Sequence, residues 1–237
     1  MYKIVKAEKL AANIFLMEVE APRVAKHCLP GQFVIVKMDE EGERIPLTIC
    51  DYSREKGTIT IVFQPIGEST MRMSELKEGD AFMDFVGPLG QPSEFCKEDP
   101  EELKKKKIVF VAGGVGTAPV YPQAKWLHEH GIEADVIIGA RNKDLIILED
   151  EFKKVCNLYI TTDDGSYVRK GMGTDVLRDL VQNQGKHYDV CVAIGPMIMM
   201  KFVCLLTKEL GIHTIVSMNP IMVDGTGMCG ACRVTVG

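Results

Sequence analysis

One stretch, KKIVFVAGGVGTAP at residues 106–119, restricts the fold of this chain more than any other. An apolar run leads through Gly113, Gly114 and Gly116 into a segment with a helical pattern that extends to Gly131. A buried strand that turns through glycines into a helix is typical of a parallel α/β sheet. Glycines also let a pyrophosphate approach the backbone at the start of the helix. The alternative interpretation is a tight strand–helix turn without a ligand.

The pattern of the chain changes at this stretch. Residues 2 to about 95 contain short alternating or apolar runs, such as GQFVIVKM, GTITIVF and DAFMDFVGP, which predict a small antiparallel barrel or sandwich. After residue 108, strand and helix patterns alternate, which predicts a doubly wound parallel sheet. We expect a β domain over 1–98, an α/β domain over 106–220 and a separate terminal segment over 221–237. The charged stretch CKEDPEELKKKK, residues 96–107, is the predicted linker.

The composition excludes several classes of protein. A net charge of −5 argues against a nucleic-acid-binding surface, and the lysine run at 104–107 is expected to be a solvated end. The N-terminus lacks the apolar core of a signal peptide, and the longest apolar runs are too short to span a bilayer. The eight cysteines are not spaced like a disulfide framework. We therefore expect a cytoplasmic protein.

Small and polar residues stand at the predicted carboxyl ends of the later strands. In an open α/β sheet, ligands bind at these ends. Arg141 follows one strand, Asp164 and Ser166 follow the next, and Gly195 with Pro196 follow a third. These positions predict one long cleft, although each could be an ordinary turn.

The β region offers a second candidate anion site. Arg44 precedes Thr48 in RIPLTICDY, and QPIGESTMRMSEL places Ser69 and Thr70 just ahead of a helix. Ser69 or Thr70 is the predicted N-cap of that helix. An arginine and a helix start together could hold a diphosphate. A solvated arginine and simple capping are the alternative interpretations.

Five motifs occur in an order that resembles the ferredoxin-NADP reductase superfamily. They are RIPLT at 44–48, GEST at 67–70, GPLG at 87–90, GGVGTAP at 113–119 and GPMIM at 195–199. The terminal DGTGMCGAC, from Asp224 to Cys232, is similar to the branch that contains the electron-transfer subunit of dihydroorotate dehydrogenase and the small subunit of NADH-dependent reduced ferredoxin:NADP oxidoreductase. The latter is the closer resemblance.

The resemblance implies a role for each motif. Residues 1–98 would form an FAD-binding barrel and 106–220 an NAD(P)-binding domain, and 221–237 would be part of a 2Fe-2S segment. Arg44 would grip the FAD pyrophosphate, and Thr48 would lie beside the reactive nitrogen of the flavin as the catalytic residue. The remaining implied cofactor-binding residues are Pro46, Leu47, Gly67, Ser69 and Thr70 for FAD, and Gly113, Gly114, Gly116, Thr117, Arg141, Asp164, Ser166, Gly195, Pro196 and Met199 for the nicotinamide nucleotide.

Cys229 and Cys232 form a C-x-x-C within a glycine-rich loop. A zinc site, a redox dithiol and an inert pair are the alternatives, but glycine-rich C-x-x-C loops recur in 2Fe-2S sites. The resemblance implies Asp224, Cys229 and Cys232 as cluster ligands, with an aspartate at a position where dihydroorotate dehydrogenase subunits have cysteine. A fourth ligand is not found, so we expect the 237-residue chain to hold its cluster poorly or not at all.

The resemblance implies a flavoprotein electron-transfer subunit that passes electrons between NAD(P)H, FAD and a 2Fe-2S cluster to a partner. The partner would be a larger catalytic or flavin/iron–sulfur subunit in a hetero-oligomer, with ferredoxin as a further partner. The alternatives are the dihydroorotate dehydrogenase subunit, which Asp224 disfavours, and a nucleotide-binding redox sensor without turnover. The acidic residues after Arg141 and Lys143, from Asp144 to Glu151, favour NADH over NADPH.

Overall fold

The computed structural model describes residues 1–225 and 227–235 and divides the chain into two compact units. One unit comprises Met1–Ser93 together with the described residues from Asn219 onward, and the other comprises Glu94–Met218. The terminal segment is therefore grouped with the first unit.

The first unit is built on a seven-stranded antiparallel sheet with two short helices. Its strands are β1 (Tyr2–Ala11), β2 (Ile14–Glu20), β3 (Phe33–Lys37), β4 (Ile45–Ser53), β5 (Thr58–Phe63), β6 (Ala81–Phe82) and β7 (Asp84–Leu89), and its helices are α1 (Pro22–His27) and α2 (Glu68–Ser74). The strand order is β6-β1-β2-β5-β4-β3-β7. Helix α1 has no counterpart in the prediction from sequence.

The two strands at the ends of this order are neighbours in the chain, because only Met83 separates β6 from β7. The backbone N–H of Met83 donates to the carbonyl oxygen of Lys37 at 2.9 Å, at the end of β3. The sheet must therefore curl until its edges approach, which makes a nearly closed barrel and confirms that prediction. The run DAFMDFVGP, predicted as one strand, is two strands that break at Met83.

Alternate residues of the strands fill the barrel core. Ile59, Ile61 and Phe63 of β5 are each no more than 2% exposed and pack with Ile4, Val34 and Phe85. The period of two that predicted the strands thus also defines the face that is buried.

The second unit contains a five-stranded parallel sheet of order β10-β9-β8-β11-β12. Its strands are β8 (Ile108–Gly113), β9 (Ala134–Ala140), β10 (Asn157–Thr162), β11 (Val190–Ile194) and β12 (His213–Val216), and its helices are α3 (Pro100–Leu103), α4 (Thr117–Glu129), α5 (Glu149–Phe152), α6 (Gly173–Gln182) and α7 (Met197–Leu210).

Both faces of this sheet are covered. Phe110 of β8 packs in one hydrophobic cluster with Val120 of α4, whereas Val111 packs in another with Leu177 of α6 and Val203 of α7. Strands buried on both faces are continuous apolar runs, as the sequence of β8 is. The predicted doubly wound sheet is confirmed.

The predicted linker, residues 96–107, is structured. Asp99 caps α3 by accepting a hydrogen bond from the backbone N–H of Glu101 at 2.8 Å, and Leu103 is 1% exposed. An aspartate followed by proline is a strong helix start that the charge of this stretch obscured. Lys104 and Lys105 form ion pairs with Glu101 and Glu102, so this part of the lysine run is a neutralised surface.

Among the described residues, no helix combines the length and the apolar character that crossing a bilayer requires.

Candidate functional site

A cavity of about 340 Å³ in the barrel unit gathers the residues of two separated motifs. The start of β4 supplies one wall, and the loop after β5 with the first turn of α2 supplies the other. Of the predicted FAD-binding residues, those that line this cavity are Arg44, Pro46, Leu47, Gly67, Ser69 and Thr70. The antiparallel pairing of β4 with β5 brings together the two motifs, which lie some twenty residues apart in the chain.

Strand β4 fixes the positions of the first motif. Pro46 and Leu47 pair with residues of β3 and are half-buried, whereas Arg44, directly before the strand, is exposed. Thr48 is exposed as well and lies opposite Phe33 in the β3–β4 register. Thr48 does not line the cavity, but its strand continues directly from the cavity wall.

The start of α2 differs from the prediction that Ser69 or Thr70 is the N-cap. Gly67 is the N-cap, and the Oγ1 of Thr70 accepts hydrogen bonds from the backbone N–H groups of Ile66 (2.9 Å) and Gly67 (3.0 Å). The threonine therefore closes the turn from inside the helix, as the third residue of a capping box does. Ser69 instead donates its hydroxyl hydrogen to the carboxylate of Glu43.

In the second unit, the turns after β8 and β11 pack tightly together. A Cβ on Gly113 would lie 2.5 Å from the Sδ of Met199 and 3.1 Å from the Cδ of Pro196. A Cβ on Gly195 would lie 3.0 Å from the backbone nitrogen of Gly113. The structure thus brings together the predicted residues Gly113, Gly195, Pro196 and Met199.

This convergence lies where the strand order reverses. The chain runs outward from β8 through β9 to β10 on one side, and through β11 to β12 on the other. Such a switch point leaves a crevice at the carboxyl ends of the strands, and it is the usual ligand site of doubly wound sheets.

Gly116 and Thr117 form the junction between this crevice and α4. A Cβ on Gly116 would lie 2.5 Å from the carbonyl oxygen of Ile194, so the helix can start here only with glycine. Thr117 is 1% exposed, and no described residue forms a hydrogen bond with its Oγ1. A buried hydroxyl without a partner at the start of a 13-residue helix is suited to a ligand oxygen. Gly114, at φ +56°, supplies the left-handed turn, with open space around its Cβ position.

The carboxyl ends of β9 and β10 hold three further predicted residues. The backbone N–H of Asp164 donates to the carbonyl oxygen of Arg141 at 3.2 Å, and its Oδ1 accepts from the N–H of Ser166 at 2.9 Å. The hydroxyl of Ser166 accepts from the N–H of Lys143 at 2.9 Å. Hydrogen bonds from Ser166 lower the pKa of Asp164, so this edge carries a fixed negative charge at neutral pH.

The terminal segment forms a second cavity, of about 210 Å³, in the barrel unit. Asp224, Cys229 and Cys232 line it together with Phe33 and with Gly90 of the GPLG motif. Gly225 has a φ of +72°, and a Cβ on it would lie 2.0 Å from the Cδ1 of Ile35, so the segment packs directly against β3. Within the described residues, however, no three His, Cys, Asp or Glu side chains are grouped so that they could hold a metal ion. The predicted ligands share one cavity without forming a metal centre.

Sequence reasoning missed a buried polar cluster at the amino ends of the strands in the parallel sheet of the second unit. Asp135 is 7% exposed and accepts hydrogen bonds from Lys186 (2.6 Å), Tyr188 (2.5 Å) and Asn157 (3.0 Å). Asp135 lies within an otherwise apolar strand, and two of its partners are about fifty residues away, so the sequence carries no local signal of the cluster.

The chain is similar to known proteins over its full length, although no protein-family model matches it. An uncharacterized protein of Clostridium beijerinckii is 68% identical over 238 residues, which cover 100% of this chain and 80% of that protein. A dihydroorotate dehydrogenase B (NAD(+)), electron transfer subunit homolog of Thermotoga maritima is 46% identical over 234 residues, with 99% and 80% covered.

Solved structures agree with these relatives. The structure of an NADH-dependent reduced ferredoxin-NADP oxidoreductase matches with a TM-score of 0.90 and 44% identity, and the match covers 100% of this chain and 82% of that one. A ferredoxin-NADP+ reductase from Plasmodium falciparum, at 15% identity and a TM-score of 0.66, shares the fold. The resemblance inferred from the five motifs is thereby confirmed. The chain belongs to the dihydroorotate dehydrogenase B electron-transfer-subunit family and has the fold of ferredoxin-NADP reductase.

Proposed function

We propose that this chain is a flavoprotein electron-transfer subunit, which passes electrons between NAD(P)H, FAD and a 2Fe-2S cluster to a partner subunit. One observation carries the proposal: six residues assigned to FAD from two separated motifs line a single cavity. Relatives described as electron transfer subunits support the same function and the expectation of a larger partner.

The barrel cavity fits the diphosphate of FAD. Arg44 supplies an exposed guanidinium, and Ser69 supplies a half-buried hydroxyl. A guanidinium binds a phosphate through two parallel hydrogen bonds, which also orient the ligand. In this proposal Thr48, the next exposed residue along β4, lies beside the flavin ring.

The switch-point crevice of the second unit is the proposed nicotinamide nucleotide site. Gly113 and Gly116 permit the close packing of the turns after β8 and β11, Gly114 leaves open space beside the backbone for a ligand, and Thr117 offers a buried hydroxyl. Pro196 and Met199 would border the nicotinamide, and Arg141 with Asp164 would border the rest of the nucleotide. The charge of Asp164 repels a 2′-phosphate, which supports the expectation that NADH is preferred.

The reaction class follows from the cofactors. FAD, when bound, would supply the chemistry that couples a two-electron hydride donor to a one-electron acceptor, so the subunit would be an NAD(P)H-dependent oxidoreductase. The chain itself needs to hold and orient the two nucleotides, and no side-chain acid or base is required for hydride transfer. The 2Fe-2S assignment to Asp224, Cys229 and Cys232 stays a prediction, for which their common cavity is the support.

A visible spectrum tests the proposal. Purified protein reconstituted with FAD should be yellow. Under anaerobic conditions, NADH should bleach its flavin bands fast enough to support catalytic turnover. A protein that takes up no flavin would refute the proposal. Flavin that binds but is not reduced by NADH or NADPH would instead favour the redox-sensing alternative. Iron and sulfide analysis on the same sample tests the cluster.

The dihydroorotate dehydrogenase electron-transfer subunit is the second candidate. The 46% identity to the Thermotoga maritima homolog favours it, whereas Asp224 in place of cysteine favours the ferredoxin-linked oxidoreductase. Co-purification separates the two, because each candidate requires a different catalytic partner. Reduction of orotate by the copurified complex with NADH would establish the second candidate.

A further inference from the structure

Glu43 is an acidic side chain inside the proposed FAD cavity. It lines the cavity together with its chain neighbour Arg44 and with Ser69. The Ser69 hydroxyl donates a hydrogen bond to the Oε2 of Glu43. A carboxylate of the protein thus occupies a donor that a ligand phosphate would use.

Ser69 is the hydroxyl of this turn that a ligand can claim, because the hydroxyl of Thr70 is held by the backbone. The Oγ1 of Thr70 accepts from two backbone N–H groups and donates to the carbonyl oxygen of Gly67 at 2.9 Å. Releasing Thr70 would leave those N–H groups without their partner. A phosphate that binds in the cavity therefore competes for Ser69, and its competitor is Glu43.

The loop that carries Glu43 is fastened independently of this contact. The Arg72 guanidinium on α2 lies 2.5 Å from the Oδ2 of Asp39, and a hydrogen bond from Arg72 lowers the pKa of Asp39. Glu43 is exposed, so its side chain can leave Ser69 for solvent while Asp39 keeps the loop in place.

We propose that Glu43 is an internal competitor of the FAD diphosphate: it holds Ser69 when the cavity is empty, must leave when FAD binds, and thereby sets the affinity for FAD. The inference rests on the proposed FAD site and adds a residue that opposes binding. Its charge also repels the two negative charges of the diphosphate, so its removal should tighten binding.

Titration of the flavin-free chain with FAD, followed by quenching of flavin fluorescence, tests this role. The variant E43Q keeps a hydrogen-bond acceptor but removes the charge, and it should lower the Kd about fivefold at 0.15 M salt, and more at low salt. E41Q is the matched control, since Glu41 is exposed on the same loop and does not line the cavity. It should leave the Kd within about twofold of the wild type.

The variant E43A removes the acceptor as well as the charge, so the double variant E43A/S69A separates competition from simple charge repulsion. If Glu43 competes for Ser69, the gain from E43A should shrink in the S69A background, because the contested hydroxyl is gone. A full gain there, an equal gain in E41Q, or an unchanged Kd in E43Q would overturn the role of Glu43 while leaving the FAD site intact. E43A also tests the loss of charge if E43Q folds poorly. Absence of FAD binding in the wild type and every variant would overturn both the site and the inference.

Discussion

Substitution of Gly116 by alanine should damage the second unit far more than its small size suggests. The new Cβ would lie 2.5 Å from the carbonyl oxygen of Ile194 and 2.8 Å from the Cα of Gly195, about 1 Å closer than an ordinary contact. Both neighbours are backbone atoms, so β11 and α4 must move apart. We expect a loss of about 3 kcal/mol in the free energy of unfolding, the upper end of the range for overpacking.

Gly114→Ala is the matched control. Its Cβ meets nothing within 4 Å, and its cost is the left-handed backbone at φ +56°, about 1 kcal/mol. Trp126, the single tryptophan, lies in α4, so its fluorescence reports on this unit. With a urea m-value of about 2 kcal/mol/M, the midpoint should fall by about 1.5 M in G116A and about 0.5 M in G114A.

The functional consequence of G116A should be confined to the reaction with the nicotinamide nucleotide. Flavin content should stay near that of the wild type, because the FAD cavity belongs to the other unit. The rate of flavin reduction by NADH should fall about 10²-fold, since a misplacement of about 1 Å has that effect on an oriented reaction. Equal unfolding midpoints for G116A and G114A would refute the steric reasoning.

Three further outcomes are expected. Arg44→Ala should raise the Kd for FAD about 10- to 100-fold in a flavin titration. Arg44→Lys should recover only part of this loss, because lysine keeps the charge without the paired hydrogen bonds. Equal affinities in the wild type and both variants would exclude a role of Arg44 in phosphate binding. Asp164→Asn should raise the kcat/KM for NADPH relative to that for NADH severalfold, measured by stopped-flow flavin reduction. The reason is that the substitution removes a carboxylate whose lowered pKa keeps it charged in the wild type. An unchanged ratio would exclude Asp164 from coenzyme choice. Iodoacetamide at pH 8 should label the exposed Cys229 long before Cys28, as followed by mass spectrometry. Burial raises the pKa of the Cys28 thiol to about 11 and keeps it protonated, and the protonated thiol does not react. Similar labelling rates for the two cysteines would contradict the burial of Cys28.

Backbone features of the fold were predictable from the sequence, because each has a local signal. The apolar run into Gly113 and Gly116 predicted β8, the start of α4 and the crevice between them, since only glycine permits the close approach to Gly195. The helix stop at Gly131, at φ +74°, follows from the same chemistry.

Side-chain partnerships were not predictable. Ser69 and Thr70 are adjacent hydroxyl residues that are both favoured at helix starts. Only the turn geometry assigns the cap contacts to Thr70 and leaves Ser69 to Glu43. The partners of Asp135 come from a distant loop. Pairing of this kind depends on tertiary contacts, which a single sequence does not record.

Phe33 links the two candidate sites of the barrel unit. It lies opposite Thr48 in the β3–β4 register, and it lines the cavity that also holds Asp224, Cys229 and Cys232. Directly opposed residues of an antiparallel pair have side chains on the same face, with Cβ atoms about 5 Å apart. The proposed flavin-side residue and the terminal cavity are therefore neighbours through a single aromatic ring. Gly90 leaves room for that ring, because a Cβ there would lie 2.9 Å from it. The GPLG motif, which has no role in the FAD cavity, thus has a physical reason to be glycine at its last position.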